Sequence, residues 1–358
     1  MIRERGTRGP AVGTPAAVKL VTIKDVAREA GVSAMTVSNA LNGRGRVAEA
    51  TVARIRTVVD RLGYRPSVAA RRLRLSRQWT IGMVIVDEDP DFLNDPFTTA
   101  QVTGLTNYLT THAYSLIIRG MRPSDFRTTR LFQDIEADGM VAVLSGTPSQ
   151  RQAIVGELAK LGLPLVLLQE QRQPTEPDCA IIRQDDGDGG AQVARHLVER
   201  GARRIWMMMP HREWPAMMAR KAAVETVLAG VAGTEFRAVD CGDESYDATY
   251  AVTTRALGEG RAPDAIIGGN DQMAIAAMRA AQDLGHRIPE DIQIAGFNAF
   301  NVWRYVDPVL TTVRSAAHAI GKQAGIMLID RLKQGRFQAG EVVLPVTFQP
   351  GNSTLTID

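Results

Sequence analysis

Basic side chains that could neutralise phosphates are concentrated in the N-terminal part of this sequence. Residues 1–78 contain 16 Lys and Arg against 5 Asp and Glu, a net charge of +11. Residues 79–358 contain 26 Lys and Arg against 34 Asp and Glu, a net charge of −8. Because lysine and arginine bind phosphate oxygens, this separation predicts a polyanionic partner for the N-terminal part alone. On charge alone, a solvated basic tail remains the alternative.

The sequence lacks the side-chain patterns that are typical of catalytic or metal centres. Its five histidines, at positions 112, 196, 211, 286 and 318, do not have the spacing of metal ligands. The segment Gly187–Gly190 precedes a predicted helix, but Gln192 stands where a dinucleotide-binding loop has its third glycine. No P-loop, HExxH or GxSxG motif is present. We therefore expect no metal, no cofactor and no enzymatic activity, although a Rossmann-like enzyme remains a remote alternative.

Cysteine content and hydropathy indicate the compartment. Cys179 and Cys241 are too few for a disulfide framework in a chain of 358 residues, which favours a reducing environment. The first 20 residues lack the apolar core of a secretory signal, and no apolar run approaches the ~20 residues that span a bilayer. We therefore expect a cytoplasmic protein without a membrane partner. The same features argue against the alternative that the chain is an exported solute-binding protein.

Three short helices are predicted in residues 21–65. Thr22 can cap the first helix together with the aspartate three residues later, and Gly31 can end that helix in a left-handed turn. Ser33 can cap the second helix, and a third is predicted at Glu49–Leu62. A helix, a glycine-containing turn and a second helix form the pattern of a DNA-reading helix-turn-helix, although other three-helix domains share this spacing.

The remaining sequence alternates short buried strands with amphipathic helices. This alternation predicts right-handed β-α-β units and parallel sheets. Nine strands are predicted, from residues 81–86 to residues 292–297, and they include residues 139–144, 204–209 and 265–268. Nine strands over about 260 residues are too many for one lobe of typical size. The sequence therefore predicts an all-α head joined to a two-lobed α/β body.

Six segments resemble, in order and spacing, the LacI family of bacterial regulators. They are TIKDVAREAGVSAMTVSNALNG, LGYRPSVAARRLR, WTIGMVI, PDAIIGGNDQMA, DIQIAGF and PVLTTVR, which together extend over nearly all of the chain after residue 20. The resemblance implies a helix-turn-helix head, a hinge helix and a periplasmic-binding-protein-like body. It also implies a ligand-responsive repressor that binds a palindromic operator in double-stranded DNA as a homodimer.

The resemblance assigns the reading of DNA to the second helix and the hinge. The positions that it places at the DNA are Thr22, Ser33, Ala34, Met35, Thr36, Ser38, Asn39, Asn42, Arg71, Arg72 and Leu73. Met35 can pack on a thymine methyl group, and Asn39 can pair with adenine, where the family more often has arginine. The alternative for Met35 is a place in the core. Thr36, Ser38 and Asn42 would contact phosphate or pack the turn.

Residues 66–74, PSVAARRLR, look like the hinge helix of the family. Nine residues are fewer than the ~12–15 at which an isolated helix becomes marginally stable in water, so we expect the hinge to fold with DNA and its partner hinge. The resemblance places Leu73 as an apolar wedge in the minor groove, with Arg71, Arg72 and Arg74 near phosphates or in the narrow groove. The alternative is a solvated basic linker.

The resemblance also implies a ligand cleft at the strand ends of the body. The matching positions are Asp95, Phe97, Gln169, Trp214, Arg220, Asn270, Asn298 and Trp303. Side chains of this mixture suit a polyhydroxylated effector, because each buried hydroxyl needs a partner. Sugar-binding members usually have aspartate at positions 169 and 298, so the amides favour a less negative cleft and a sugar acid or sugar phosphate. Helix capping is the alternative role for Asn270 and Asp271.

The resemblance gives the domain boundaries and the assembly. The domains are a disordered basic arm at 1–20, the head at 21–65, the hinge at 66–78 and the effector-binding body at 79–358, with one lobe at 79–169 and 299–338 and the other at 170–298 and 339–358. The sequence ends without a leucine heptad, which favours a dimer over a tetramer. Leu105 and Leu109 belong either to the dimer face or to the core. Whether the effector acts as inducer or corepressor stays open.

Overall fold

The computed structural model describes residues 21–41, 45–64, 77–88, 92–129, 135–171 and 175–356. The chain divides into two compact units, Met1–Arg77 and Gln78–Asp358. The arm predicted at 1–20 and most of the hinge predicted at 66–78 lie outside the described residues, as do the predicted DNA contacts Asn42, Arg71, Arg72 and Leu73.

The first unit contains the three predicted helices, at Ile23–Glu29, Ala34–Leu41 and Glu49–Leu62. The Thr22 amide donates to the Asp25 carboxylate at 3.0 Å, and the Thr36 amide donates to Ser33 Oγ at 3.1 Å, so both predicted caps are confirmed. The turn between the first two helices contains Gly31 at φ +65°. Val26, Val37 and Ile55 form the fully buried centre of the unit. This is the helix-turn-helix that the pattern predicts.

The third helix of the head begins at Ala48 without a side-chain cap. We expect Ala48→Ser to stabilise this helix by ~1 kcal/mol, because a serine hydroxyl can accept an otherwise unpaired amide of the first turn. Amide hydrogen exchange of residues 49–62 in the full chain measures the effect, and slower exchange is expected there. Ala50→Ser, inside the same first turn, is the matched control. Equal protection in both variants would contradict the capping argument.

The second unit contains two parallel sheets. The first has the strand order β11-β5-β4-β3-β1-β2. Its strands are β1 Thr80–Val86, β2 Ser115–Met121, β3 Gly139–Leu144, β4 Leu165–Leu168, β5 Cys179–Gln184 and β11 Glu341–Leu344. The second has the order β7-β6-β8-β9. Its strands are β6 Arg204–Met209, β7 Glu235–Asp240, β8 Ala265–Gly268 and β9 Gln293–Ala295. A short antiparallel pair, β10 Thr312–Arg314 and β12 Thr347–Gln349, completes the strands.

Helices flank both sheets, as the alternating pattern predicts. They are Pro96–Thr111, Pro123–Thr129, Pro148–Ala159, Asp186–Glu199, Pro215–Ala229, Tyr246–Gly258, Asp271–Asp283 and Ala317–Gln334. Helix 96–111 lies close to helix 317–334, where a Cβ atom on Gly321 would overlap the Gln101 carbonyl oxygen. Leu105 and Leu109 are buried in the core of the first lobe, so of the two interpretations, dimer face or core, the structure confirms the core.

The lobe boundaries differ from the prediction. The strand β5 pairs with β4, Leu165 lying opposite Cys179, and β11 pairs with β5. Residues 179–184 and 341–344 therefore belong to the first lobe, although they were assigned to the second. Conversely, Leu310 and Val313 are buried in cores of the second lobe. The chain changes lobe near residues 185, 315 and 345. The first boundary lies after β5 and not at the polar residues after β4, because β5 pairs with β4 in the first sheet.

Both cysteines are free. Within the described ranges, no helix combines the length and the apolar character that crossing a membrane requires.

Candidate functional site

A cavity of about 670 Å³ lies at the carboxyl ends of the strands of both lobes. Ile85, Val143 and Leu168, near the ends of β1, β3 and β4, line the side of the first lobe. Pro210 and Asn270, after β6 and β8, line the side of the second lobe. Ligands of parallel α/β proteins bind in such a position, because loops after the carboxyl ends of strands converge there.

Seven of the eight predicted cleft residues line this cavity: Asp95, Phe97, Gln169, Trp214, Arg220, Asn270 and Asn298. Trp303 does not, because its ring is buried in the core of the second lobe and the Arg304 guanidinium covers it. Its place is taken by Phe300, whose ring meets that of Phe97 edge to face at a centroid distance of 6.4 Å. The cavity therefore has aromatic faces from both lobes.

Arg220 is bound by protein groups at the base of the cavity. Its guanidinium donates to Asp186 Oδ1 at 2.8 Å and to the Gly269 carbonyl oxygen at 2.7 Å. The guanidinium carbon also lies 3.6 Å from the centre of the Phe297 ring. Both members of the Arg220–Asp186 ion pair are buried. The resemblance placed Arg220 among the ligand-binding side chains, but protein groups already engage most of its N–H donors.

Gln169 belongs to the same buried network. Its Nε2 donates to Asp186 at 3.0 Å, and its Oε1 accepts from the Gln184 amide at 2.9 Å. Gln169 and Asn298 have positive φ angles of +63° and +118°. Left-handed backbone is costly for residues other than glycine and is concentrated at ligand sites. These two amides are thus held in position beside the cavity.

Asp95 and Asn270 cap the helices that border the cavity. Asp95 accepts from the Thr98 amide at 2.9 Å, and Asn270 Oδ1 accepts from the Met273 amide at 2.9 Å. The capping alternative for Asn270 is therefore confirmed, but its Nδ2 lies 3.3 Å from Glu244 Oε2. Asp271 begins the helix that Asn270 caps, and burial raises the pKa of Asp271 to about 6.

Carboxylates predominate in the lining of the cavity. They belong to Asp87, Glu88, Asp95, Asp243, Glu244 and Asp271, against the two guanidinium groups of Arg212 and Arg220. Arg212 is also paired, donating to Asp87 at 2.8 Å from the opposite lobe. Burial and the charge of Asp95 raise the pKa of Glu244 to about 7. The amides at 169 and 298 were expected to make the cleft less negative and to favour an acidic ligand, whereas the observed charges oppose one.

Sequence reasoning missed Asp87, Arg212 and Glu244, yet a signal was present. Each follows closely after a strand that points to the cavity: β1, β6 and β7. Gln101 was also missed, because it lies inside a helix.

The second helix of the head has one strongly exposed apolar side chain. Met35 is 67% exposed, so its alternative as a core residue is wrong. Asn39, one turn later, is half-buried, and Ala34 packs against the head core. Ser38 is buried, which favours packing of the turn over a DNA contact. Thr22, Ser33 and Thr36 make the capping contacts at the two helix starts.

Two family descriptions match the chain. "Bacterial regulatory proteins, lacI family" matches residues 22–67, and "Periplasmic binding protein-like domain" matches residues 194–354. The HTH-type transcriptional repressor PurR of Aliivibrio fischeri (strain ATCC 700601 / ES114) is 30% identical over 330 residues, which cover 88% of this chain and 92% of the relative. Catabolite control protein A of Priestia megaterium is 28% identical over 339 residues, covering 93% and 99%.

Solved structures show the same fold. The Lac repressor dimer bound to operator and the anti-inducer ONPF matches with a TM-score of 0.80 at 23% identity, over 94% of this chain and all of that one. The complex of the transcriptional regulator CelR with cellobiose matches with a TM-score of 0.66 at 25% identity, over 93% and 99%. The PurR relatives are named as transcriptional repressors, which agrees with the absence of catalytic motifs from this sequence.

Proposed function

The chain belongs to the LacI family of bacterial regulatory proteins, and from that premise we propose that its cleft binds a sugar-class effector that controls binding of a homodimer to a palindromic operator. As a member of that family, it is a ligand-responsive, DNA-binding regulator of transcription. The cytoplasm, where such a regulator meets DNA, is its proposed location. Repression is the proposed outcome, since the most similar relatives include repressors.

The observation that carries the effector proposal is the convergence of aromatic and amide side chains on one cavity. Phe97, Trp214 and Phe300 offer faces on which the C–H groups of a sugar ring can pack. Asn298 offers a donor and an acceptor, and Asn270 keeps one N–H and one oxygen lone pair beyond its contacts with Met273 and Glu244, which the hydroxyl groups of a sugar require. Two structurally similar regulators are described with cellobiose and with bound ribose, which supports the same ligand class here.

The second helix of the head is the proposed reader of the major groove. Exposure of Met35 supports packing on a thymine methyl group, and the half-buried Asn39 one turn later is the proposed partner of an adenine. The hinge at 66–78 remains part of the proposal through its sequence, with Leu73 as the wedge and Arg71 and Arg72 near the backbone of the duplex. A structurally similar Lac repressor is described as a dimer bound to operator, which supports a homodimer.

Linkage between the two sites is the proposed mechanism. An effector shifts operator affinity only as far as it binds the two states of the regulator with different affinity, and operator shifts effector affinity by the same factor. Fluorescence anisotropy of the full chain on a duplex from its own upstream region tests this link, with and without a panel of sugars. DNA affinity should fall steeply with salt, because phosphate contacts release counterions.

We expect Phe97→Ala to weaken effector affinity about tenfold, because it removes an aromatic face from the cavity. Phe348→Ala is the matched control, since Phe348 packs against His196 in the second lobe and does not line the cavity. Isothermal titration of the sugar that gives the strongest response measures both. Operator affinity without effector should stay unchanged in Phe97→Ala. Equal losses in the two variants would remove Phe97 from the site.

A further inference from the structure

Two features of the cavity go beyond a general sugar site: an excess of negative charge and an unpartnered buried amide. The two guanidinium groups in the lining are each paired with a carboxylate, Arg220 with Asp186 and Arg212 with Asp87. Asp95, Glu244 and Asp271 make no ion pair with a lysine or arginine of the described ranges. A ligand that enters the cavity therefore meets uncompensated carboxylates.

Glu244 stands at the centre of this excess. It comes from the second lobe and lines the cavity together with Asp95 and Asp87 of the first lobe, and the charges of both raise its pKa. Arg212, the Trp214 indole and the Asn270 amide also face Glu244. Burial and Asp95 favour the protonated form of Glu244, which is why its pKa rises to about 7. A cation between the two carboxylates would remove this repulsion, whereas an anion would increase it.

Gln101 supplies the second, independent observation. The residue lines the cavity and is only 1% exposed, and neither its Nε2 nor its Oε1 has a hydrogen-bond partner. Its neighbours in the lining include the apolar side chains of Ile85, Val143 and Leu168. A buried amide without partners is costly, so a ligand group that both donates and accepts would be stabilised beside Gln101. A ligand hydroxyl has this capacity.

We propose that the effector is a polyhydroxylated molecule with a cationic amine, such as an amino sugar, whose ammonium lies between Glu244 and Asp95 and one of whose hydroxyl groups meets Gln101. This proposal rests on the proposed function, because it assumes that the cavity is the effector site. It excludes the sugar acids and sugar phosphates that the amides at positions 169 and 298 suggested. Neutral sugars bind the same aromatic faces but leave the carboxylates uncompensated.

Matched sugars that differ only in charge test the proposal. The probes are glucosamine, glucose and glucuronate, and galactosamine, galactose and galacturonate, titrated calorimetrically into the full chain at neutral pH. We expect an amine to bind about tenfold more tightly than its neutral counterpart, and the acid to bind most weakly. Absence of binding by both amines, or tighter binding of a neutral or acidic member, would overturn the proposal.

Variants separate charge from packing. Glu244→Gln should reduce the preference for the amine over the neutral sugar to about threefold or less, while Glu259→Gln, an exposed glutamate outside the cavity, should leave it at about tenfold. Gln101→Leu should weaken the amine and the neutral sugar equally. A preference that survives Glu244→Gln would contradict the ammonium position. If glucose or glucuronate bound tightly and Phe97→Ala abolished that binding, the cavity would remain the effector site. Only the proposed cationic charge of the effector would then be wrong.

Discussion

Replacing Arg220 with alanine is expected to lower the free energy of unfolding of the body by about 3–5 kcal/mol, because the substitution leaves the Asp186 carboxylate buried without its cation. The Arg220 guanidinium is 3% exposed and Asp186 is completely buried. The pair therefore lies where water cannot replace the lost charge. A role in the ligand cleft alone, which is what the resemblance implies for Arg220, would predict a variant that loses only its response to a ligand.

The hydrogen-bond network around Asp186 explains why the loss of the Arg220 side chain is expected to lower the free energy of unfolding so much. Gln169 and Gln184 also donate to this carboxylate, at 3.0 and 2.8 Å, and Arg220 binds the Gly269 carbonyl oxygen. These residues come from three regions of the chain that line or adjoin the cavity. Loss of the guanidinium removes the one full positive charge and leaves the amides, which compensate a carboxylate only partly.

Chemical denaturation of the full chain, followed by tryptophan fluorescence, measures this loss. Arg287→Ala is the matched control, since Arg287 forms an exposed ion pair with Asp291 and little change is expected. Adding Asp186→Asn to Arg220→Ala should restore part of the stability, because it removes the uncompensated charge. If Arg220→Ala unfolds like the unmodified chain but no longer binds any effector, Arg220 acts on the ligand and not on the fold.

The same residue shows how far sequence reasoning reaches. The resemblance to the family placed Arg220 at the cavity, and the structure places it there. Its partner, Asp186, belongs to another helix, 34 residues away, and no local pattern connects the two. Side-chain pairing across the chain depends on packing, so a sequence indicates the neighbourhood of a charged group more reliably than its partner.

Strand pairing sets a similar limit. The alternating pattern located β3, β6 and β8 with their observed bounds, because each is a short buried run between turn residues. The sequence did not indicate which sheet β5 joins, because a strand that is buried on both faces has the same hydrophobic pattern in either lobe. The strand-end rule would also have found Asp87 and Glu244, and the charge of the cleft would then have been predicted correctly.

The prediction that Trp303 lines the cavity was wrong for a different reason. A large aromatic side chain near a cleft can either stack on a ligand or fill the core beside it, and its hydropathy is the same in both positions. In this loop Phe300 lines the cavity, while Trp303 packs in the core with Leu310. Spacing within an irregular loop does not distinguish these alternatives, because no period relates neighbouring side chains to one face.

Asn39→Arg is expected to change base preference at one symmetric position of the operator from A·T towards G·C. Asparagine pairs bidentately with adenine, whereas arginine pairs with guanine, and each such contact discriminates by ~1–3 kcal/mol. In a homodimer the change acts once in each half-site, so its effect on affinity for the original operator is doubled. Asn39 is half-buried on the second helix, and its side-chain amide lies close to Gly45.

Selection of bound sequences from a random duplex pool by the full chain measures this preference. Asn39→Ala is the control, because it removes the contact without introducing a new one and should only relax that position. Met35→Ala should affect a different position, where a thymine methyl group is read. Identical sequence profiles for all three variants and the unmodified chain would mean that phosphate contacts alone hold the second helix, and that specificity arises elsewhere in the chain. A change confined to one symmetric position would instead assign Asn39 to a base, since a phosphate contact weakens binding to every sequence alike.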